Sequence, residues 1–356
     1  MDEKFEQLGK VGREFLEKVV YKNLGADSSA IIAKPGHGFD NSVISLGSDK
    51  AMVITSDPLS IVPSIGMEES AWLTIHLLAS DFTTSAVMPQ FSIFDFNLPP
   101  SLDLNEFGTY LKVLSNECKR MGITIVGGHT GKYPGCDFTI VGGGVLLGVT
   151  DKRSFLTPAM IEDDDRIIMT KGAAIGATGF LSHAFPKKIT AKLGRRLRDR
   201  ARSYLRRCST VRDSIIASSI GIREEGVTSM HDATEGGVLG GLYELSSASG
   251  KAILVNKQEL FISEETAAIC RLFGLDPLVT LSTGALIITC KEERIKEVRK
   301  RLRTNGIDSF EVGRVDGEMK QGLWLSTNGS RPKQFIPPDF DPYWNSYASA
   351  LREGWN

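Results

Sequence analysis

Five glycine clusters mark this chain: "KPGHGFD", "IVGGHTG", "IVGGGVLLG", "TKGAAIGATG" and "ATEGGVLGG". Each abuts an apolar run. Glycine weakens the interior of a strand or helix, so clusters at element ends mean that the backbone turns tightly or that something approaches it closely. The 36 glycines are a tenth of the 356 residues, against roughly 7% in an ordinary protein, and no low-complexity tract accounts for them. Backbone amides at such ends can line up on an anion. "MHDATEGGV" (Met230–Val238) adds a histidine, two carboxylates and a threonine to its paired glycines.

The runs between the clusters alternate in type. Phe5, Leu8, Val11, Phe15, Val19 and Val20 recur near helical spacing and predict an opening helix over 6–22. "AMVIT" predicts a strand leading into Ser56-Asp57-Pro58, and a helix follows over about 68–78. "FSIFDFNL" is a strand and "NEFGTYLKVLSNECKRM" an amphipathic helix stopped by Gly122. "ITIVGG" and "FTIVGGGVLLGV" are strands dense in β-branched residues. The run "TDKRSFLTPAMIEDDD" breaks this pattern with charges and a proline, which places a domain boundary near 151–165. Beyond "RIIMT", helices are expected near 174–184, 189–206 and 210–221, with a strand at "GVTSMHD" and a helix through "VLGGLYELSSAS". A strand at "GALIITC" and a helix ending at Gly306 complete the set, and the tail from Pro332 is expected to pack as irregular chain. The fold class is α/β (α+β), with mixed domains over 1–150 and 151–356.

The formal net charge of -1 gives no overall field for nucleic acid or anionic lipid. No run of 18 apolar residues occurs, and the start "MDEKFEQLGK" is acidic where a signal peptide is basic, so a cytoplasmic protein without a membrane segment is expected. The five scattered cysteines lack C-x-x-C spacing, which argues against structural zinc and a disulfide framework. Lys187 to Arg207 carries ten basic residues and one acid, with Ile189, Leu193, Leu197, Ala201 and Leu205 four apart. That is the solvated face of a core-packed helix. A nucleic-acid patch is the alternative, without aromatic interleaving or a recognition motif to support it.

Three aspartates sit where an apolar element meets a turn: Asp40 in "GHGFDNSV", Asp57 ending "MVITSD", and Asp81 in "LLASDFTTS". Capping or turn formation accounts for any one of them alone. Together with glycine-lined amides they suit a nucleotide–magnesium complex, because magnesium takes oxygen ligands and borrows several from substrate phosphates. "GGHTG", following the strand "ITIV", is the candidate phosphate loop, offering Gly127, Gly128 and the Thr130 hydroxyl. His129 in that loop can contact phosphate, act as acid or base, or be structural. Lys34 in "AKPGHG" is a further phosphate candidate. Neither a Walker loop nor a G-x-G-x-x-G turn is present, and no Ser-His-Asp order or H-E-x-x-H supports a hydrolase.

Taken in order, "GFDNSVI", "VITSD", "ASDFTTSAVMP", "MGITIVGGHTG", "MHDATEGGVLGGLYELSSASG", "GLDPLVTLSTGALIIT" and "GIDSFEVGRV" form a specific set. From about Gly9 to Val315 the chain resembles the superfamily of aminoimidazole ribonucleotide synthetase, thiamine-monophosphate kinase, selenophosphate synthetase and HypE, with HypE-like proteins nearest. The resemblance implies an N-terminal sheet that pairs into a dimer barrel and a C-terminal half closing over a cleft for ATP and magnesium. By motif, Asp40 matches the second acid of G-D-D-A-A-V, Asp57 the acid of T-T-D, and Asp81 that of S-D-I-A. Asp232 and Glu235 match the acids of D-x-[ST]-D-G-G, and Gly127, Gly128 and Thr130 match G-G-D-T. The resemblance thus gives magnesium to Asp40, Asp57, Asp81, Asp232 and Glu235. It turns Lys34, Gly127, Gly128, His129, Thr130, Thr234, Gly236 and Gly237 toward the nucleotide, with His231 structural.

Phe39 stands where the first acid of G-D-D belongs, and His129 replaces the acid of G-G-D-T. HypE uses ATP to dehydrate a carbamoylated cysteine at its own C-terminus to a thiocyanate. Here the last cysteine is Cys290 and the sequence ends "LREGWN", so that self-modification is not expected. No Cys-Gly pair precedes the first glycine-rich loop, where selenophosphate synthetase needs one. The expected activity is phosphoryl transfer from ATP to an amide, carboxylate or phosphate oxygen in a homodimer. The alternative is a non-catalytic nucleotide-binding or assembly protein. No catalytic residue is assigned.

Overall fold

The computed structural model describes residues 8–327 and 329–355. A single helical turn, α1 (Arg13–Phe15), runs into a π turn over Leu16–Val20. The first sheet holds β1 (Ile31–Ala33), β2 (Ser42–Ser45), β3 (Lys50–Ser60), β4 (Phe91–Leu98), β5 (Thr124–Lys132) and β6 (Ile140–Asp151), in the order β1-β2-β3-β6-β4-β5. Within this sheet β4 and β5 pair in parallel, and the other pairings among the described residues are antiparallel. Alternation in β4 buries Ser92, Phe94 and Phe96 and leaves Phe91 and Ile93 exposed, as the period of two in a half-covered sheet requires.

Two helices cover the buried face: α2 (Met67–Thr83) and α3 (Leu104–Met121). Asp103 caps α3 by accepting from the amides of Asn105 and Glu106, and Gly122 ends it at φ +74°. Apolar on nearly every side, α2 packs Ile75, Leu78, Ala79 and Phe82 on the first sheet and Trp72 and Leu73 on the second half.

The second sheet holds β7 (Arg166–Thr170), β8 (Val227–Ala233), β9 (Ala252–Asn256), β10 (Ala285–Cys290), β11 (Ser309–Asp316), β12 (Gly322–Ser326) and β13 (Lys333–Phe335), in the order β13-β12-β9-β11-β7-β10-β8. Around it lie α4 (Ile175–Ala184), α5 (Pro186–Leu193), α6 (Arg195–Arg202), α7 (Val211–Ser218), α8 (Gly237–Ser249), α9 (Glu264–Phe273), α10 (Ile295–Thr304) and α11 (Pro342–Arg352). Val238, Leu239, Leu242 and Leu245 of α8 fill one face against Ile167, Ile253 and Ile287. On the other, α10 and the end of α7 bring Ile295, Val298, Leu302 and Ala217 onto Ile168, Leu286 and Ile288. No helix among the described residues is long and apolar enough to cross a membrane, and all five cysteines are free.

Four expectations need correction. The opening helix is confined to 13–20, with Val11, Phe15 and Val19 exposed, while Phe5 and Glu6 lie outside the described residues. The helix over 189–206 breaks at Gly194, φ +82°, into α5 and α6. The tail is regular: β13 pairs with β12, and α11, with Pro342 in its first turn and Asp341 as cap, packs Tyr343 and Ala350 beside Phe185 and Phe273. Finally, Gly127, Gly128, His129 and Thr130 form no loop, because β5 runs through them to Lys132 on the hydrogen bonds of its pairing with β4.

Candidate functional site

Four carboxylates meet where the two sheets face each other. Asp57 comes from β3, Asp81 from the last turn of α2, Asp232 from β8, and Asp40 from the turn before β2. Hydrogen bonds fix that turn. Thr55 Oγ1 donates to the Asp40 carbonyl at 2.8 Å, and Asn41 Nδ2 donates to the Asp81 carbonyl and to Thr84 Oγ1, both at 2.8 Å. The loop carrying Asp40 is thereby tied to the helix end carrying Asp81.

His231, 3% exposed, bridges the halves. Its Nδ1 lies 2.8 Å from Asp40 Oδ1 and its Nε2 lies 2.9 Å from Glu244 Oε2. With a carboxylate at each nitrogen, both nitrogens donate and the ring is an imidazolium. Burial alone lowers its pKa, but Asp40 and Glu244 together hold it well above the usual histidine range. For Glu244 burial works upward, and Lys10, His231 and His37 outweigh it, taking the carboxyl to about 2. Ligand atoms of Asp40, His231 and Asp232 lie within 4.8 Å of one another. A doubly protonated imidazole has no lone pair for a metal, so the available donors are carboxylate oxygens.

The remaining acids are crowded. Burial, then the charges of Asp232, Asp57 and Asp40, push Asp81 well above the usual carboxylate range. Burial and Asp40 take Asp232 to about 7, and burial takes Asp57 to about 6. The like charges of these neighbours thus favour protonation of Asp81 and Asp232 over the free carboxyls.

Lys10 reaches this cluster across the sequence. Its Nζ donates to Thr234 Oγ1 at 3.0 Å and its backbone amide donates to Glu235 Oε2 at 2.7 Å. The dense surroundings lower its pKa, but Glu244, Asp81, Asp232 and Glu235 reverse that and raise it. A cavity of about 460 Å³ opens beside it, lined by Lys10, Arg13, His37, Glu235, Tyr243 and Glu244 among others.

The glycine candidates fall differently. The Gly236 amide, expected to face phosphate, donates to Asp341 Oδ2 at 2.8 Å. Asp341 is 4% exposed, and burial raises it to about 6. Gly237, φ +70°, has no room for a side chain: a Cβ would lie 2.5 Å from the Leu278 carbonyl oxygen. Gly128 is three strands from Asp57 through Gly144 and Phe94, about 14 Å at the usual strand spacing. His129 meets Tyr133 Oη at 2.6 Å, Gly127 and Thr130 are exposed, and so is Lys34 beyond β1. One chain therefore brings together Asp40, Asp57, Asp81, Asp232, Thr234 and Glu235, and leaves Lys34 and the Gly127–Thr130 run outside that cluster.

Sequence reasoning overlooked Lys10, Glu244 and Asp341, and its structural reading of His231 lacked the two carboxylate partners. Adjacency to Asp232 was a usable signal for His231. Lys10 and Asp341 gave none, because only the tertiary fold carries the two ends of the chain to the cleft. Four of the ten basic residues in the segment are ion-paired within the chain: Arg195 and Arg198 with Asp199, Arg200 with Glu264 and Glu265, and Arg206 with Glu69.

Family comparison agrees with this architecture. Residues 38–149 match the AIR synthase related protein N-terminal domain and residues 162–325 its C-terminal domain. A putative hydrogenase expression/formation protein of Methanocaldococcus jannaschii is 23% identical over 305 residues, covering 83% of this chain and 84% of that protein. Among solved structures, AaThiL complexed with AMPPCP and TMP superposes with a TM-score of 0.69 at 18% identity, covering 91% of this chain and 97% of that one. The hydrogenase maturation protein HypE in complex with ATP gives 0.66 at 16% identity, covering 94% of both chains.

Proposed function

This chain belongs to the AIR synthase-related family, whose N-terminal and C-terminal domains it carries in order, and we propose that it is an ATP- and magnesium-dependent phosphoryl-transfer enzyme with domains over 1–150 and 151–356. The observation that carries the reading is the gathering of Asp40, Asp57, Asp81 and Asp232 at one cleft, where ligand oxygens of Asp40 and Asp232 lie within 4.8 Å of each other and like-charge crowding raises Asp81 and Asp232. An all-oxygen donor set with too little positive charge suits a hard divalent cation. Asp57, Asp81, Asp232 and Asp40 would hold magnesium, with Glu235 in support. Bound magnesium neutralises charge on the transferring phosphoryl group. The chain's own part is to hold the acids in place and keep Asp40 and Glu244 joined through His231. ATP in the HypE complex and AMPPCP in the ThiL complex support the choice of nucleotide. The acceptor class is an amide, carboxylate or phosphate oxygen.

The bare face of the first sheet supports a homodimer. Phe91, Ile93, Ile125, Val126 and Ile140 are each more than 40% exposed there or along the β5 edge, an apolar patch of the kind that marks an interface. A second copy would enclose the Gly127–Thr130 run, whose amides and Thr130 hydroxyl could then meet phosphate.

Calorimetry with ATP and magnesium tests the reading directly. Binding is expected, and its absence at millimolar nucleotide would sink the proposal. Asp57→Asn should lose metal-dependent binding while remaining folded; an unchanged affinity removes Asp57 from the ligand set.

A further inference from the structure

We propose that His37 is the base that takes the acceptor's proton as the acceptor attacks the γ-phosphorus of ATP, with Glu244 as the carboxylate that orients its ring. The inference rests on the phosphoryl-transfer reading and adds a catalytic residue to it.

Three observations carry the proposal, and the first is placement. His37 lines the cavity of about 460 Å³ together with Glu235, so an acceptor held there lies beside both the ring and the acidic cluster. The turn that carries His37 is closed by the Phe39 amide, which donates to the Gly36 carbonyl at 3.1 Å. Gly38 sets how near that turn stands to α8: at φ +83°, a Cβ there would lie 2.3 Å from the Glu244 carbonyl oxygen. Glycine alone allows so close an approach.

The second observation is orientation. His37 Nε2 lies 3.7 Å from Glu244 Oε1, the oxygen that His231 leaves free. A carboxylate on that side keeps the ring proton on Nε2 and leaves the lone pair on Nδ1. Nδ1 is buried and finds no hydrogen-bond partner among the described residues. An unspent buried acceptor is costly, and a proton from the acceptor molecule would satisfy it. The pairing is that of a carboxylate which fixes an imidazole's tautomer and stabilises the imidazolium that forms.

The third observation is that two histidines share Glu244 under opposite conditions. His231 has a carboxylate at each nitrogen and is already charged. His37 has one carboxylate at longer range, with the Tyr243 ring edge-on at 6.3 Å. Burial lowers its pKa; Glu244 raises it, and Arg13, His231 and Lys10 lower it again. A neutral imidazole beside a fixed imidazolium divides the roles, one ring accepting protons and the other holding the frame. In the transfer itself, the acceptor's proton passes to Nδ1 as its oxygen bonds the γ-phosphorus. The bond to the β,γ-bridging oxygen breaks, and ADP leaves with that electron pair. The imidazolium then returns the proton to water in the cavity.

The test is ATP hydrolysis by the full chain with water as acceptor, at saturating magnesium and ATP, for the wild type, His37→Ala and His37→Gln. Calorimetry on the same proteins reads ATP binding. Both variants should bind ATP as the wild type does, with kcat lower by about 100-fold. Imidazole added to the buffer should restore His37→Ala by about tenfold, which a merely structural role does not predict. The wild-type kcat should rise with pH through an inflection below the ordinary histidine value, and both variants should lose that inflection. A kcat in His37→Gln close to the wild type, a His37→Ala that imidazole does not rescue, or ATP binding lost in both variants overturns the inference and leaves the nucleotide reading standing. So does a wild type that binds ATP and transfers nothing to water. A wild type that binds no ATP at millimolar concentration overturns the phosphoryl-transfer reading, and the inference with it.

Discussion

Gly127–Gly128 in β5 and Gly236–Gly237 at the start of α8 look alike in sequence, each a glycine pair beside an apolar run. Their surroundings differ. Gly237 is pressed against the Leu278–Thr280 backbone, and the Gly236 amide is held by Asp341. Gly127 has nothing within 4 Å of a Cβ position, and its neighbours Ile125 and Val126 stand in the open. Gly128 makes room only for the Phe94 carbonyl oxygen, 1.9 Å from where a Cβ would sit. A glycine pair thus reports a close approach, and in both pairs it is the chain itself that approaches. What separates them is the far side, closed in one and bare in the other.

The largest expected effect tests that contrast. Gly237→Val should cost about 3 kcal/mol or more, since a side chain meets backbone at a positive φ. Gly127→Ala should stay within about 0.5 kcal/mol. Urea unfolding followed by circular dichroism measures both, and similar losses would erase the distinction between the sites. Next comes the bare face. Ile93→Glu puts a charge into the proposed interface and should raise the dimer dissociation constant about 30-fold, equivalent to about 2 kcal/mol. Sedimentation over a concentration series reads this, and a wild type that stays monomeric at high concentration refutes the dimer.

Much of the fold was legible because local physics set it. The alternation in β4, the Asp103 cap and the Gly122 stop of α3 each follow from a few neighbouring residues. The acids of the cluster were legible as candidates because each adjoins an apolar run, although β3 continues past Asp57 to Ser60. Their partners were not. Lys10 meets Thr234 across 224 positions, and Asp341 meets Gly236 across 105, distances over which no periodicity or spacing acts. The Gly127–Thr130 run misled for a related reason: glycines argue for a loop locally, whereas pairing with β4 keeps the run extended.

A smaller effect separates the crowded cluster from the rest of the molecule. Asp232→Asn replaces a buried carboxyl raised to about 7 by a neutral amide of similar shape. Without metal, at pH 8, the variant should be more stable than the wild type by about 1–2 kcal/mol, because it removes like-charge crowding. The same change should abolish metal binding. A destabilised variant that still binds manganese would contradict both the crowding and the ligand role.

The smallest effect is the pH dependence of the metal-free protein. Asp57 and Asp232 rise from 3.8 to about 6 and about 7 on folding, so the folded chain binds more protons than the unfolded one between those values and 3.8. Stability from these groups therefore falls as pH climbs through that window, with the full loss reached above about pH 7. Glu244, lowered to about 2, titrates at the low end; His231, raised well above the usual histidine range, begins to lose its contribution above about pH 6.5 and adds to the fall, while His37, His76 and His183, lowered by burial, partly offset it. Between pH 5.5 and 7.5 the melting temperature without metal should thus drop by about 2–6 °C, for about 1–2 kcal/mol in a protein of this size. Saturating magnesium should flatten the profile, because the ion supplies the charge that the proton supplied. A drop that Asp57→Asn and Asp232→Asn leave unchanged would mean that these two groups keep ordinary carboxyl affinities, and would remove the reason for a cation between them.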